Sequence, residues 1–198
     1  MAISAQQVKE LRERTGAGMM DCKKALQECG GDSDKAVDWL RKHGVAAAAK
    51  REGREAKEGL VFSYIHPGNR VGVLLEVNCE TDFVARNEEF REMVKNVAMH
   101  IAAASPIAVR REEIPAEATA KEKEIYQAQA EATGKPANVI EKIVEGRMEK
   151  YFAEQVLLEQ PYVKEPKTTV GDVVDAVRAK IGEKIRVRRF VRFELGEE

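Results

Sequence analysis

The hydrophobic pattern at the start of the chain predicts three short amphipathic helices. Ser4-Ala5-Gln6-Gln7 has the form of a capping box, and Ile3 can pack on Val8 across it. Each helix ends at a glycine, which favours termination. The predicted helices span residues 4–15, 19–29 and 32–44. Three short helices with glycine-bearing corners indicate a small bundle.

The next stretch changes from a helical to a strand pattern. Residues 46–57 are basic and rich in alanine, with few apolar groups large enough to pack, and they predict a helical linker. From Gly59 the apolar period becomes two, along residues 60–65 and again along 71–77. Because Pro67-Gly68-Asn69 forces a turn between these runs, they predict a β-hairpin.

Four helices are predicted after the hairpin. Asn87 is a favourable N-cap for the first, whose apolar face runs to near Pro106. Thr169 caps the last, which ends at Gly182. The two helices between them are expected over about residues 118–133 and 136–152.

A terminal strand completes the predicted fold. Apolar residues alternate once more from Ile185 to Leu195. A hairpin followed by helices and a returning strand indicates an α+β fold with a small antiparallel sheet. We therefore expect a three-helix module over residues 1–45, a helical linker over 46–57 and an α+β core over 58–198.

Composition narrows the class of protein. Hydrophobic residues make up 43% of the 198 residues and charged residues 34%, as in a soluble, charge-rich globular protein. The formal net charge is -1, so nucleic acid is not expected as the main partner. There is no apolar run long enough for a bilayer and no secretory signal, which predicts a cytoplasmic protein without a membrane partner. The odd number of cysteines (Cys22, Cys29 and Cys79) indicates reduced thiols.

The sequence lacks the motifs that are typical of nucleotide-binding proteins, of hydrolases and of metal sites. The chain has no G-x-x-x-x-G-K-[ST] loop, so direct nucleotide binding is not expected. No serine lies in a G-x-S-x-G elbow, and the histidines are isolated, so no catalytic residue is assigned. The spacing of cysteines and histidines does not suit a metal ion, and no cofactor is expected.

The segment from Thr81 to Asn87 connects the hairpin to the next helix, so it forms a turn on the rim of the sheet. Two interpretations of this corner follow from the residues alone. In the first, Phe83 folds back onto the core and Asp82 caps the turn. In the second, Phe83 is presented as an aromatic anchor for a partner protein.

Three segments, taken together, resemble the translation elongation factor Ts family. They are EVNCETDFVAR at residues 76–86, LRERTGAGMMDCKKAL at 11–26 and KIGEKIRVRR at 180–189. The matches lie in order near the middle, start and end of the chain, so the resemblance covers nearly all of it. It implies a ubiquitin-associated type of N-terminal module and an α+β core that binds the GTPase elongation factor Tu.

The resemblance also implies a mechanism without catalytic chemistry. In the family, an Asp-Phe tip enters between two helices of the GTPase domain and shifts the groups that hold Mg²⁺ and the GDP β-phosphate. Carried over, Phe83 is the wedge and Asp82 disturbs the magnesium side. Thr81 and Val84 shape the tip. GDP then leaves, and GTP takes its place.

Further contacts with the GTPase are implied outside the tip. In the N-terminal segment they are Arg12, Met19, Met20 and Lys23, and in the third segment they are Ile181 and Gly182. For the N-terminal set there are alternatives. The two methionines suit a helix core equally well, and the two cations suit a solvated surface.

The length of the chain resembles that of the short members of the family. Long members carry a core of two related halves, and this chain has room for one. The resemblance therefore implies a homodimer that binds two GTPases. The terminal strand around Val187, Val191 and Phe193 is the expected seam, because an unpaired apolar edge strand favours association.

A rival hypothesis uses the same terminal strand to bind RNA. Its basic residues are Lys184, Arg186, Arg188, Arg189 and Arg192. RNA-binding sheets interleave aromatic residues for base stacking, and here only Phe190 and Phe193 are available. A solvated sheet face is the alternative interpretation of these charges.

Overall fold

The structure, a computed structural model, describes residues 3–15 and 17–197, with side chains for all of these except 41 and 44–52. The mixture of helices and a small antiparallel sheet confirms the predicted α+β fold. In chain order the elements are α1 (Ala5–Thr15), α2 (Met19–Glu28), α3 (Ser33–Glu52), β1 (Glu58–Ile65), β2 (Val71–Cys79), α4 (Asp82–Ala85), α5 (Glu88–Ala104), a 3-10 turn (Arg111–Glu113), α6 (Ala116–Glu131), α7 (Ala137–Gln155), β3 (Pro161–Tyr162), β4 (Glu165–Thr169), α8 (Val170–Ile181) and β5 (Arg186–Glu194).

Helices α1, α2 and α3 pack against one another around a core of their own. The predicted capping box is present. The Ser4 N–H donates to Gln7 Oε1 (3.0 Å), and the Gln7 N–H donates to Ser4 Oγ (3.1 Å). The buried core side chains are Val8, Leu11, Cys22, Ala25, Leu26 and Ala36. The three predicted helices are therefore confirmed.

Helix α3 continues past Gly44 to Glu52, so the prediction that it ends at Gly44 was wrong. A glycine inside a helix costs roughly 1 kcal/mol relative to alanine. The run Ala46–Ala49 that follows has the highest helix propensity, and it carries the helix through this weak point. The stretch predicted as a helical linker, 46–57, is consequently helical only as far as Glu52.

The chain folds into two compact units, each drawn from three separate stretches. Unit 1 consists of the described residues within Met1–Leu60, Val77–Met93 and Val174–Arg186. Unit 2 consists of those within Val61–Glu76, Val94–Val173 and Val187–Glu198.

Strands β1, β2 and β5 form an antiparallel sheet with β2 in the centre. The hairpin turns where predicted, with Gly68 at φ 96 and Asn69 at φ 56. At its base the His66 N–H donates to the Val71 carbonyl oxygen (2.9 Å). Alternate residues of the central strand are buried, namely Val73, Leu75, Val77 and Cys79. One face of β2 therefore packs into the core, as the period of two predicts.

Gly59 marks a close approach between two strands. Its φ is 145, and a Cβ on it would lie 2.1 Å from the carbonyl oxygen of Val77. Such a distance excludes any side chain at this position. The glycine at which the strand pattern begins therefore lets the backbone of β1 lie directly against that of β2.

A second, two-stranded sheet pairs β3 with β4 antiparallel, with Tyr162 opposite Glu165. The sequence did not predict it. Strand β4 reads Glu-Pro-Lys-Thr-Thr, which has no apolar alternation and contains a proline. The usual strand signals are thus absent from both of its strands.

The helices after the hairpin begin as predicted. Asn87 Oδ1 accepts from the N–H groups of Glu89 (2.9 Å) and Phe90 (3.2 Å) at the start of α5. At the start of α8, the Asp172 N–H donates to Thr169 Oγ1 (3.0 Å), and the Thr169 N–H donates to Asp172 Oδ2 (2.8 Å). Helices α6 and α7 pack against each other around Ala130, Val144 and Met148.

The terminal strand changes its exposure along its length. Ile185 and Val187 are buried, whereas Val191, Phe193 and Leu195 continue the same alternation and are exposed. Val187 is only 1% exposed, so its side chain is not available to a dimer seam, and the seam along this strand stays a prediction. Its side chain already packs within its own chain.

Candidate functional site

The segment after β2 forms one helical turn, α4. Thr81 caps it in an extended conformation, and Thr81 Oγ1 accepts from the N–H of Val84 (3.4 Å). The N–H of Ala85 donates to the Thr81 carbonyl oxygen (3.3 Å). Asn87 then begins α5, so α4 is held between two capping residues. The corner predicted from the sequence is therefore a short, ordered turn of helix.

Phe83 points away from the protein. It is 85% exposed, more than any other large hydrophobic residue in the described part of the chain. Its neighbours Val84 and Ala85 are buried and fix the opposite side of the turn. The interpretation in which Phe83 folds back onto the core is therefore wrong, and the tip of α4 presents a bare aromatic ring.

Asp82 lies beside this ring on the same exposed turn. Its carboxylate is 3.1 Å from the guanidinium of Arg86, one helical turn later, and both side chains are mainly in solvent. Such a pair adds little to stability. The tip therefore presents one aromatic side chain and one carboxylate to a partner. A group of the partner can bind this carboxylate in place of Arg86.

A carboxylate from the far end of the chain fastens the base of this turn. Glu183 Oε2 accepts from the N–H groups of Glu80 and Thr81, both at 3.1 Å. Glu183 Oε1 accepts from the Thr81 hydroxyl at 2.7 Å. In return, Glu80 Oε1 accepts from the N–H of Lys184 at 2.5 Å, and Arg54 bonds the same carboxylate at 3.3 Å. The two loops are thus joined in both directions.

Cys79 lies beneath the turn. Its buried thiol donates to the carbonyl oxygen of Thr81 (3.1 Å). Burial and, to a smaller extent, the nearby charge of Glu183 raise the pKa of this thiol to about 11. The group is therefore a neutral hydrogen-bond donor at physiological pH, and not a nucleophile.

The predicted contacts in the N-terminal helices are all exposed. They are Arg12 on α1 and Met19, Met20 and Lys23 on α2. Met19 is 47% exposed and Met20 72%, so the alternative that the methionines form the core of the bundle is wrong. An apolar pair and two cations are therefore exposed on these two helices.

Ile181 and Gly182 are the last residue of α8 and its C-terminal cap. Both are half-buried, and Gly182 has φ 83, a conformation that favours glycine. They directly precede Glu183. The tip, the N-terminal contacts and this helix end all belong to unit 1.

Sequence reasoning missed Glu183, Glu80 and Arg54 as parts of the site. Glu183 lies inside the third segment that carries the family resemblance. No local pattern connects it with Thr81, from which it is separated by 102 positions. Only the fold brings the two together.

The charges of the terminal strand are largely engaged within the chain. Arg189 bonds Glu76 (2.7 Å), and Arg192 bonds both Glu194 and Glu197. Lys184 is buried. Cations that are paired or buried in this way attract phosphate more weakly than free surface cations do.

Comparison with known proteins places the chain in a family. The model of the family described as elongation factor Ts matches residues 46–197. An elongation factor Ts from Desulforamulus reducens is 63% identical over 195 residues, 98% of this chain and 90% of that relative. The chain belongs to the elongation factor Ts family. Relatives of the same name from Caldanaerobacter subterraneus and Geobacter metallireducens are 62% and 61% identical and are covered over 98% and 91% of their lengths.

Elongation factor Ts proteins are translation factors, and the family acts in nucleotide exchange on elongation factor Tu. Within the described part of this chain, no group of three or more His, Cys, Asp or Glu side chains is placed to hold a metal ion. None of its described helices has both the length and the apolar character needed to cross a membrane.

Proposed function

We propose that this chain binds elongation factor Tu in its GDP form and speeds GDP release by inserting the α4 tip into the GTPase domain. Phe83 acts as the wedge, and Asp82 disturbs the groups that hold Mg²⁺. Thr81 and Val84 give the turn its shape. The observation that carries this proposal is the 85% exposure of Phe83 on an anchored turn, in a member of this family.

The wedge alone is too weak for the task. Burying a phenylalanine side chain contributes about 1.5–3 kcal/mol. Accelerating release by roughly ten-thousand-fold requires about 5.5 kcal/mol. The remainder comes from a wider interface, for which Arg12, Met19, Met20, Lys23, Ile181 and Gly182 are the proposed contacts. Their common membership of unit 1 with the tip supports this assignment.

The chain has no catalytic chemistry of its own in this proposal. It needs no cofactor, binds no nucleotide directly and uses neither nucleic acid nor membrane as a partner. This chain and the nucleotide weaken each other's binding to the GTPase. Thermodynamic linkage requires that the two effects are equal, so GDP or GTP lowers the affinity of the GTPase for this chain as much as this chain lowers its affinity for the nucleotide. Nucleotide rebinding therefore frees the factor, and the GDP/GTP ratio stays where the cytoplasmic pools set it.

The domain assignment follows the resemblance. Residues 1–45 form the ubiquitin-associated type of module and 58–198 the core that holds the GTPase, and the linker 46–57 between them consists of the end of α3, up to Glu52, and residues 53–57. The three packed helices and their separate core support the first part. A cytoplasmic site of action suits a translation factor whose three cysteines are free.

A homodimer completes the proposal, giving a complex of two factors with two GTPases. Unit 2 carries an exposed apolar groove on its sheet, with Ile65, Val71, Leu74, Phe193 and Leu195 among its lining residues. Phe193 is 72% exposed and Leu195 65%. Contiguous apolar surface of this kind marks an interaction site. We place the dimer seam at the exposed residues Val191, Phe193 and Leu195, without the buried Val187.

The test of the function is stopped-flow release of labelled GDP from elongation factor Tu. We expect the full chain to accelerate release in proportion to its concentration until saturation. An unchanged release rate at saturating concentration would overturn the proposal.

A further inference from the structure

Glu183 holds the tip through groups that belong to the turn itself. Both oxygens of its carboxylate are occupied, one by two backbone N–H groups and the other by the Thr81 hydroxyl at 2.7 Å. Hydrogen bonds to an ionised acceptor are about twice as strong as neutral ones. They connect the loop before α4 to the end of α8 within one compact unit.

The connection reaches α4 through one hydroxyl group. Thr81 Oγ1 donates its proton to Glu183 and accepts from the N–H of Val84 at 3.4 Å. The carboxylate therefore fixes the orientation of the hydroxyl that starts the turn. Removing the Glu183 carboxylate leaves the Thr81 hydroxyl and two backbone N–H groups without this acceptor.

The turn cannot hold this conformation by itself. It has four residues, far fewer than an isolated helix needs in water. Phe83 is exposed, so packing of its own ring does not orient it. Its direction is set by the backbone of the turn, which Glu183 holds at Thr81 and the buried Val84 and Ala85 hold on the inner side.

We infer that Glu183 is a positioning residue for nucleotide exchange, which keeps the α4 tip in the conformation that enters the GTPase. The inference rests on the proposed function, and it concerns the free chain before the partner binds. A tip that is ordered in advance spends no binding energy on its own ordering. That energy is then available to strain the nucleotide site. The competing explanation is that the buried Val84 and Ala85 suffice to hold the turn.

A matched control is available in unit 2. Asp172 accepts from the N–H and the hydroxyl of Thr169, both at 2.8 Å, as Glu183 does from Thr81. Asp172→Ala therefore removes a similar carboxylate–threonine arrangement at the start of α8, in the other compact unit. Glu183→Gln is the conservative variant, because one amide oxygen can still accept from both backbone N–H groups while the carboxylate bond to the Thr81 hydroxyl is lost.

The first measurement is the rate of labelled GDP release from elongation factor Tu at saturating concentrations of each full-length variant. We expect Glu183→Ala to lower this maximal rate about tenfold, which corresponds to about 1.4 kcal/mol of barrier. Glu183→Gln should fall between Glu183→Ala and the unchanged chain, and Asp172→Ala should keep the full rate. A maximal rate that is unchanged in Glu183→Ala, or lowered equally in Asp172→Ala, overturns the inference.

The second measurement separates this inference from the proposed function. Amide hydrogen exchange of the free chain reports the order of the tip without any partner. We expect the Val84 amide, which Glu183 does not touch, to exchange at least tenfold faster in Glu183→Ala and at an unchanged rate in Asp172→Ala. If the unsubstituted chain does not speed GDP release from elongation factor Tu, the proposed function is overturned, and the amide exchange rate alone decides whether Glu183 positions the tip. Unchanged exchange at Val84 overturns the positioning role in either case.

Discussion

His100 and Gln160 bond each other inside unit 2, with Nε2 and Oε1 2.9 Å apart and both side chains almost fully buried. The other ring nitrogen, Nδ1, accepts from the N–H of Val163 (3.3 Å). Gln160 donates its amide to the carbonyl oxygens of Ala104 and Glu154, which leaves its oxygen facing the ring. The imidazole is therefore neutral, with its proton on Nε2.

This arrangement predicts a loss of stability in acid. Burial lowers the pKa of His100 from its ordinary value of 6.5. Below pH 6.5 the unfolded chain binds a proton that the folded chain does not, so the free energy of unfolding falls, by at most about 1.4 kcal/mol per pH unit. Urea unfolding at pH 7.5 and at pH 5.5 measures this difference in the free energy of unfolding. His100→Gln should reduce the difference; an equal pH dependence in the variant and the unsubstituted chain would contradict this prediction.

Phe83→Ala should separate activity from stability. We expect the maximal rate of GDP release to fall about ten- to hundredfold, because the lost burial is worth about 1.5–3 kcal/mol. The free energy of unfolding should change by less than about 0.5 kcal/mol, since the ring is in solvent. Phe90→Ala is the contrast, because this nearby ring is fully buried and its loss should cost about 3–5 kcal/mol of stability. A large loss of stability in Phe83→Ala would mean that the ring packs on the core.

Phe193→Asp should abolish self-association. The substitution places a carboxylate on the exposed apolar groove of unit 2, where a second copy would have to desolvate it. Light scattering at micromolar concentration should give the mass of a dimer for the unsubstituted chain and of a monomer for the variant. Val163→Asp, at an exposed apolar residue that does not line this groove, should remain dimeric. If the unsubstituted chain is a stable monomer at this concentration, the proposed dimer is wrong.

Arg111→Lys should destabilise unit 2. The guanidinium bonds Glu159 at 2.6 Å and Glu149 at 2.7 Å and lies 4.4 Å from the centre of the Phe152 ring. These bonds raise the pKa of Arg111, but the side chain is 35% exposed, so solvent screening limits their worth. Because lysine has no planar fork, we expect a loss of about 1 kcal/mol in urea unfolding. Lys150→Ala, which breaks an exposed pair with Glu154, should cost less than half of that.

The local signals in this sequence predicted the local structure. The reciprocal bonds of Ser4 with Gln7 and of Thr169 with Asp172 involve neighbours in the chain, so the residue types alone decide them. The helix end predicted at Gly44 was wrong because this signal considers the glycine alone. The helix propensity of the alanines after it outweighs the cost of the glycine, and α3 continues to Glu52. The β3–β4 pair escaped notice because neither of its strands alternates.

The candidate site was harder to predict for a different reason. A phenylalanine between a strand and a helix can face either the core or the solvent, and neighbouring residues do not decide which. The burial of Val84 and Ala85 decides it for Phe83, and that burial depends on the whole fold. In the same way, the contact of Glu183 with Thr81 depends on where α8 ends in space. Family resemblance supplied the residues of the tip, but not the carboxylate that holds it.

The continuation of α3 to Glu52 shortens the tether between two of the proposed contact surfaces. Only residues 53–57 separate the end of this helix from β1, and five extended residues span at most about 18 Å. Because α1, α2 and the tip also belong to one compact unit, a GTPase that engages α1 and α2 meets the tip as a second attachment on the same molecule, without a separate encounter. Two weak attachments can then act with the avidity of a bivalent ligand, and each can detach alone when nucleotide returns.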